Sequence, residues 1–115
     1  MLNKPETANQ ITANIIRVVN MQPKCVAARI NVVGIFDAKI GGHRKSNATK
    51  GVEDVVCCIR GMYVGFEVKA GSDKQSEDQK KREFEIKRAG GQYYIIRSTD
   101  EFLKVFTQIL NESKK

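Results

Sequence analysis

No run of this 115-residue chain is apolar over anything near the ~20 residues that a membrane-spanning helix requires. The opening MLNKPETANQ has no apolar core of the kind a secretory signal carries, so a cytoplasmic location and no membrane partner are expected. Cysteine is scarce, at Cys25, Cys57 and Cys58 only. Two of the three are adjacent in what reads as a strand, where successive side chains leave on opposite faces, and the third is remote. That excludes a disulfide framework and any zinc-ligand spacing, and the expectation is three buried free thiols in a reducing compartment. Histidine is reduced to His43 alone. Negative charge is short as well: 13 Asp and Glu stand against 20 Lys and Arg, a formal charge of +7 and a sequence pI near 9.5. A polyanion, nucleic acid before membrane, is the partner such a balance implies. With 41% hydrophobic residues, the chain has material for one core, and a single domain over 1–115 is expected.

What is present is concentrated in Gly51 to Lys69, GVEDVVCCIRGMYVGFEVK. Two runs rich in β-branched and aromatic residues flank Arg60-Gly61, which predicts a β-hairpin. With Arg60 and Gly61 as its loop, Ile59 pairs with Met62, Cys58 with Tyr63, and Asp54 arrives opposite Glu67. Lys69, two residues further on, projects from the same face as Glu67. Like charges directly opposite one another destabilise a sheet, so two facing carboxylates call for a cation between them. Hard oxygen ligands completed by water and substrate phosphates describe a magnesium site. The competing reading makes Glu67 and Lys69 ordinary strand-end charges and Asp54 a turn cap.

The rest of the chain supplies the frame. Thr7 to Gln22 places Ile11, Ile15, Val18, Val19 and Gln22 at helical spacing and ends at Pro23. Glu6, at its start, either lends a carboxylate to the metal or answers the helix dipole, the commoner use. Cys25 to Phe36 reads as one strand with Arg29 and Asn31 at alternate positions, and Gly34 marks a bulge or its end. From Asp37 the segment DAKIGGHRKSNATKG reads as a basic loop holding Lys39, Arg44, Lys45 and Lys50. Such a loop is either a solvated connection or a phosphate clamp, and its place just before Asp54 favours the clamp. Arg44, Lys45, Lys50 and, beyond the hairpin, Lys74 are therefore the candidate nucleic-acid contacts. His43 within it is a general base or, more commonly in such a loop, simply exposed.

After Lys69, Ser76 and Gln79 match a helix capping box, Glu77 and Asp78 occupy the first turn, Lys87 and Arg88 the last, and Gly90 ends the helix. Its apolar face is thin, since Phe84 and Ile86 point to different sides. Gln79 completes the cap, and its place one turn into the helix that leaves the Glu67–Lys69 strand also lets its amide reach the site. Gln92 to Ser98 reads as a strand, and a last helix from Ser98 or Thr99 aligns Phe102, Phe106, Ile109 and Leu110. Helix, strand, hairpin, helix, strand, helix is the order of an α/β or α+β domain with a mixed sheet, antiparallel at the hairpin and parallel across the strand-helix-strand step.

An Asp on one strand, Glu-x-Lys on the next and this element order resemble the PD-(D/E)XK nuclease superfamily, with Asp54, Glu67 and Lys69 in the motif positions. More narrowly, GVEDVV, GFEVKAGSDKQSEDQ and AGGQYYII resemble the VRR-NUC branch, which includes small stand-alone versions in phages and bacteria. The resemblance implies a restriction-endonuclease-like αβββαβ core, a mixed four-stranded sheet flanked by helices, with an extra C-terminal helix. It implies DNA phosphodiester hydrolysis with Mg²⁺ or Mn²⁺ held by Asp54, Glu67 and the Val68 carbonyl, Lys69 orienting the attacking hydroxide, and Gln79 assisting. It further implies a homodimer selective for branched DNA such as Holliday junctions or flaps, in the host cytoplasm if a phage encodes it. A non-catalytic nucleic-acid-binding module of the same fold is the alternative. Glu53 stands where the superfamily pattern has proline, a varying position with no metal-binding role.

Overall fold

The computed structural model describes residues 4–30, 35–37, 42–44 and 50–113. Helix α1 (Ala8–Asn20) begins at Thr7, whose hydroxyl accepts from the Gln10 N–H while the Gln10 side chain accepts from the Thr7 N–H, a reciprocal cap. Strand β1 (Cys25–Arg29) is followed by two short strands, β2 (Ile35–Asp37) and β3 (Gly42–Arg44), which among the described residues pair with each other and not with the main sheet. Then come β4 (Val55–Ile59), β5 (Met62–Val68), α2 (Glu77–Arg88), β6 (Gln92–Ile96) and α3 (Thr99–Glu112). The main sheet has the order β1-β4-β5-β6, antiparallel except for the β5–β6 pair, which is parallel across α2.

This is the α+β arrangement expected, with two corrections. The stretch read as one strand from Cys25 to Phe36 is divided: β1 stops at Arg29, and Ile35–Asp37 belongs to a separate ribbon. Part of the segment read as a loop is the other half of that ribbon, with Phe36 opposite His43. Gly34 and Asn31 lie outside the described residues.

Alternation along β4 and β5 divides the sheet into two faces. Val55, Cys57 and Ile59 with Val64, Phe66 and Val68 point to one face, where Ile11, Ile15 and Val19 of α1 and Phe102, Phe106 and Ile109 of α3 cover them, all buried. Phe66 meets Phe102 edge-on at 5.4 Å and Phe102 stacks on Phe106 at 5.5 Å between centroids, contacts that add to burial. The opposite face carries Asp54, Tyr63, Gly65 and Glu67, under α2. Of α2 only Ile86 is buried; Phe84 is 66% exposed, the divergence expected from their spacing.

The thiols follow the strand alternation. Cys57 is buried, Cys25 half-buried and Cys58 exposed, so burial of all three is corrected for Cys58, whose face of the sheet is not the core face. Burial and then the neighbouring Cys25 push the Cys57 thiol up to about 12, which keeps it protonated and inert.

The hairpin loop has Arg60 at φ +52° and Gly61 at φ +85°, the two left-handed residues of a type I′ turn. Arg60 is there for a second reason: its guanidinium donates to the Leu110 carbonyl at 3.1 Å and to the Ser113 hydroxyl at 2.8 Å, capping the C-terminus of α3. Arg60→Ala is therefore expected to lose about 1 kcal/mol of stability. Arg60→Gly should lose less, because glycine occupies φ +52° without the steric penalty. Urea denaturation of both variants checks the order.

Glu6 has a different destination from either expected. Its carboxylate accepts from the Thr99 N–H at 2.8 Å and from the Thr99 hydroxyl, so it serves the N-terminus of α3 rather than that of α1. Those bonds, the backbone one first, hold its carboxyl below the usual range. Among the described residues no helix is long and apolar enough to cross a membrane.

Candidate active site

The last pair of the β4–β5 ladder is Val55 with Phe66, so the next positions outward are Asp54 and Glu67. The register follows from the two-residue loop, as the sequence predicts. Asp54 turns a carboxylate oxygen to the Val68 N–H at 2.7 Å, which fixes it against the strand bearing Glu67. Glu67 is only 2% exposed. Its two oxygens are each engaged: Oε1 accepts from the Gln79 amide at 2.9 Å and Oε2 from the Tyr93 hydroxyl at 3.1 Å. The Asp54 carboxylate and the Lys69 ammonium are both close enough to act on it by charge.

Gln79 realises both of the uses open to it. Its Oε1 accepts from the Ser76 N–H at 2.8 Å, closing the cap of α2, which leaves Nε2 to donate to Glu67. The amide's two ends are thus committed to different tasks. Tyr93, on the neighbouring parallel strand, was not foreseen. An aromatic in a short strand reads as core, and only the β5–β6 register brings its hydroxyl over Glu67.

The electrostatics of the pair are unusual. Burial first, and then the neighbouring Asp54 carboxylate, push the Glu67 carboxyl up to about 8, against the opposing effects of Tyr93 and Lys69. The metal-free protein therefore keeps a proton on Glu67 between about 4.5 and 8, where an unfolded chain has already released it. The associated stability is full below the unfolded value and is lost as pH rises toward the folded one. In the presence of chelator the melting temperature should fall from about pH 5 to pH 8, and Glu67→Gln should flatten that part of the profile. A profile just as steep in the variant would refute the assignment.

Among the described residues no three of His, Cys, Asp and Glu gather around a point. The donor set is two neighbouring carboxylates, Glu67 buried and Asp54 half-buried. That fits Mg²⁺ or Mn²⁺, which take one or two protein carboxylates and complete the shell with water and phosphate oxygens. A divalent cation in place of the proton would relieve the repulsion that raises the Glu67 value.

Asp54, Glu67, Lys69 and Gln79 thus lie together, with Val68 joined through its N–H to Asp54. The candidate nucleic-acid contacts are less gathered. Lys50 and Lys74 are exposed, Arg44 and His43 fall in the backbone of β3, and Lys45 lies outside the described residues. Glu53, passed over because its position carries no ligand role, is fully buried. It receives the Arg82 Nε at 3.0 Å and the Tyr63 hydroxyl. Gly65 was the available signal, since a glycine inside a strand often marks a close approach.

A mixed four-stranded sheet with α1 and α3 on one face and α2 on the other, and carboxylates at the end of its central hairpin, is the restriction-endonuclease-like class of α+β fold. No family model matches the sequence, and no curated protein matches it. Among solved structures, one described as a VRR_NUC domain protein superposes with a TM-score of 0.66 over 91% of this chain and 88% of that one, at 16% sequence identity. The fold is that of a VRR-NUC domain.

Proposed function

We propose that the chain is a nuclease that hydrolyses DNA phosphodiester bonds with Mg²⁺ or Mn²⁺ held by Asp54, Glu67 and the Val68 carbonyl. The observation that carries this reading is the carboxylate pair at the hairpin end, Glu67 buried and Asp54 half-buried beside it, flanked by Lys69 and Gln79. Such a pair is costly to build and has a use once a cation lies between the two carboxylates. When bound, the ion supplies charge neutralisation at the phosphate and lowers the pKa of water. The residues do the rest. The Val68 N–H holds Asp54 in place, and Gln79 and Tyr93 hold Glu67, so neither carboxylate must reorganise. Lys69, on the same face, orients the attacking hydroxide and offers its ammonium to the charge that develops on phosphorus oxygens. The formal charge of +7 favours a polyanionic substrate.

The likeness to a solved VRR_NUC domain protein supports the same class of chemistry. The finer reading is a homodimer acting on branched DNA, Holliday junctions or flaps, because cutting two strands of a junction takes two sites.

Labelled linear, flapped and four-way DNA incubated with Mg²⁺, Mn²⁺ or EDTA tests the proposal. Metal-dependent cleavage that prefers a branched substrate is the expected result, alongside a dimer mass in solution. Binding without cleavage in any metal would mark a non-catalytic module and overturn it.

A further inference from the structure

The buried charge not used by the carboxylate pair is Glu53, 0% exposed; among the described residues the other fully buried side chains are, Glu67 apart, aliphatic or aromatic. We propose that Glu53 and Arg82 are positioning residues: their ion pair clamps α2 to the strand end that bears Asp54 and thereby holds the Gln79 amide on Glu67. The proposal rests on the nuclease reading above and deepens it.

Its first support is where the two partners lie. Glu53 immediately precedes Asp54, and Arg82 is three residues beyond Gln79, on the same side of α2. The 3.0 Å contact between them therefore joins the neighbour of one carboxylate to the helical turn that serves the other. Second, the room for this contact is made by a side chain that is missing. Tyr63, Gly65 and Glu67 form one column on β5, and a Cβ at Gly65 would stand 2.6 Å from Glu53 Oε2. The Glu53 carboxylate occupies that gap and also takes the Tyr63 hydroxyl.

Third, no side chain in the N-terminal half of α2 is buried, where its main chain rests on Gly51. Its one buried residue, Ile86, lies near the far end, whereas Gln79 is at the third position. A short helix held apolarly at one end leaves its other end to polar contacts. A buried ion pair is a poor device for stability alone, because apolar residues of the same volume do as well or better. It is a directional device, however, and a displacement of about 1 Å at a positioning group can cost on the order of 10²-fold in rate.

The test uses Glu53→Gln, which keeps the shape and removes the charge, together with Gln79→Ala and the double variant, on branched DNA with saturating Mg²⁺. Glu53→Gln should lower kcat about tenfold and leave the KM for DNA unchanged, since Glu53 does not reach the surface. The double variant should be no slower than the slower single one, as residues acting in series are not additive. Full kcat in Glu53→Gln, or losses that multiply in the double variant, would overturn the clamp. Should Glu53→Gln fail to fold, Arg82→Lys, which keeps the charge and loses the fork, replaces it with the same expectation. The Gln79 side-chain amide resonances give a readout free of cleavage: they should be well separated in the parent and merge toward solvent values in Glu53→Gln. Unmoved resonances would refute the clamp, whereas a parent that cleaves no DNA but shows this shift would refute only the nuclease reading.

Discussion

Lys69→Ala is expected to slow metal-dependent DNA cleavage by about 10²–10³-fold while leaving the fold and cation binding in place. The reason lies in the division of work at the hairpin end. Asp54 and Glu67 are held by the Val68 N–H, Gln79 and Tyr93, none of which depends on Lys69. The Lys69 backbone N–H bonds the Ile96 carbonyl at 3.0 Å, and alanine keeps that bond. What disappears is the one ammonium that the proposed reaction sets beside the scissile phosphate. Asp54→Asn and Glu67→Gln should, by contrast, lose cation binding together with cleavage. Titration calorimetry with Mn²⁺ separates the two outcomes. A Lys69→Ala protein that cleaves at the parent rate would remove lysine from the chemistry altogether. A second consequence follows from the same charge. Lys69 works against the upward shift of Glu67, so its removal should move the Glu67 titration in metal-free protein to still higher pH.

Gly51→Ala should cost about 2–4 kcal/mol of stability, well above Gly61→Ala or Gly90→Ala. Gly51 sits at φ +75°, and a Cβ there would stand 2.4 Å from the carbonyl carbon and oxygen of Asp78 and 2.7 Å from the Gln79 nitrogen. All three are main-chain atoms in the first turn of α2, so no side chain can rotate away. Relief requires the helix to move off the sheet, which also withdraws Gln79 from Glu67. Gly61→Ala and Gly90→Ala, at φ +85° and +93° with open space around them, carry the backbone penalty alone and should cost about 1 kcal/mol. Urea denaturation of the three variants provides the comparison; a Gly51→Ala protein no weaker than Gly90→Ala would mean that α2 is not pressed on this segment.

The hairpin was legible because its information is local. A two-residue loop sets the register of everything behind it, and period-two alternation then decides that Asp54, Glu67 and Lys69 share a face. The start of α2 was legible for the same reason: Ser76 with Gln79 is a bond between residues three apart. Reading Cys25 to Phe36 as a single strand failed because composition does not say where a β-rich run changes partners. Glu6 was misassigned since proximity in sequence favoured α1, whereas its bond reaches Thr99, 93 residues away.

Local chemistry, then, is what the residue order determined unaided: the turn, the caps, the apolar stripes and a carboxylate pair with its lysine. Folding alone decided which distant groups answer them. Arg82 finding Glu53 across the space left by Gly65, Tyr93 reaching Glu67 and the main chain of α2 resting on Gly51 are contacts between elements. No periodicity encodes them, because they depend on how closely two backbones approach once the core on the other face of the sheet has closed.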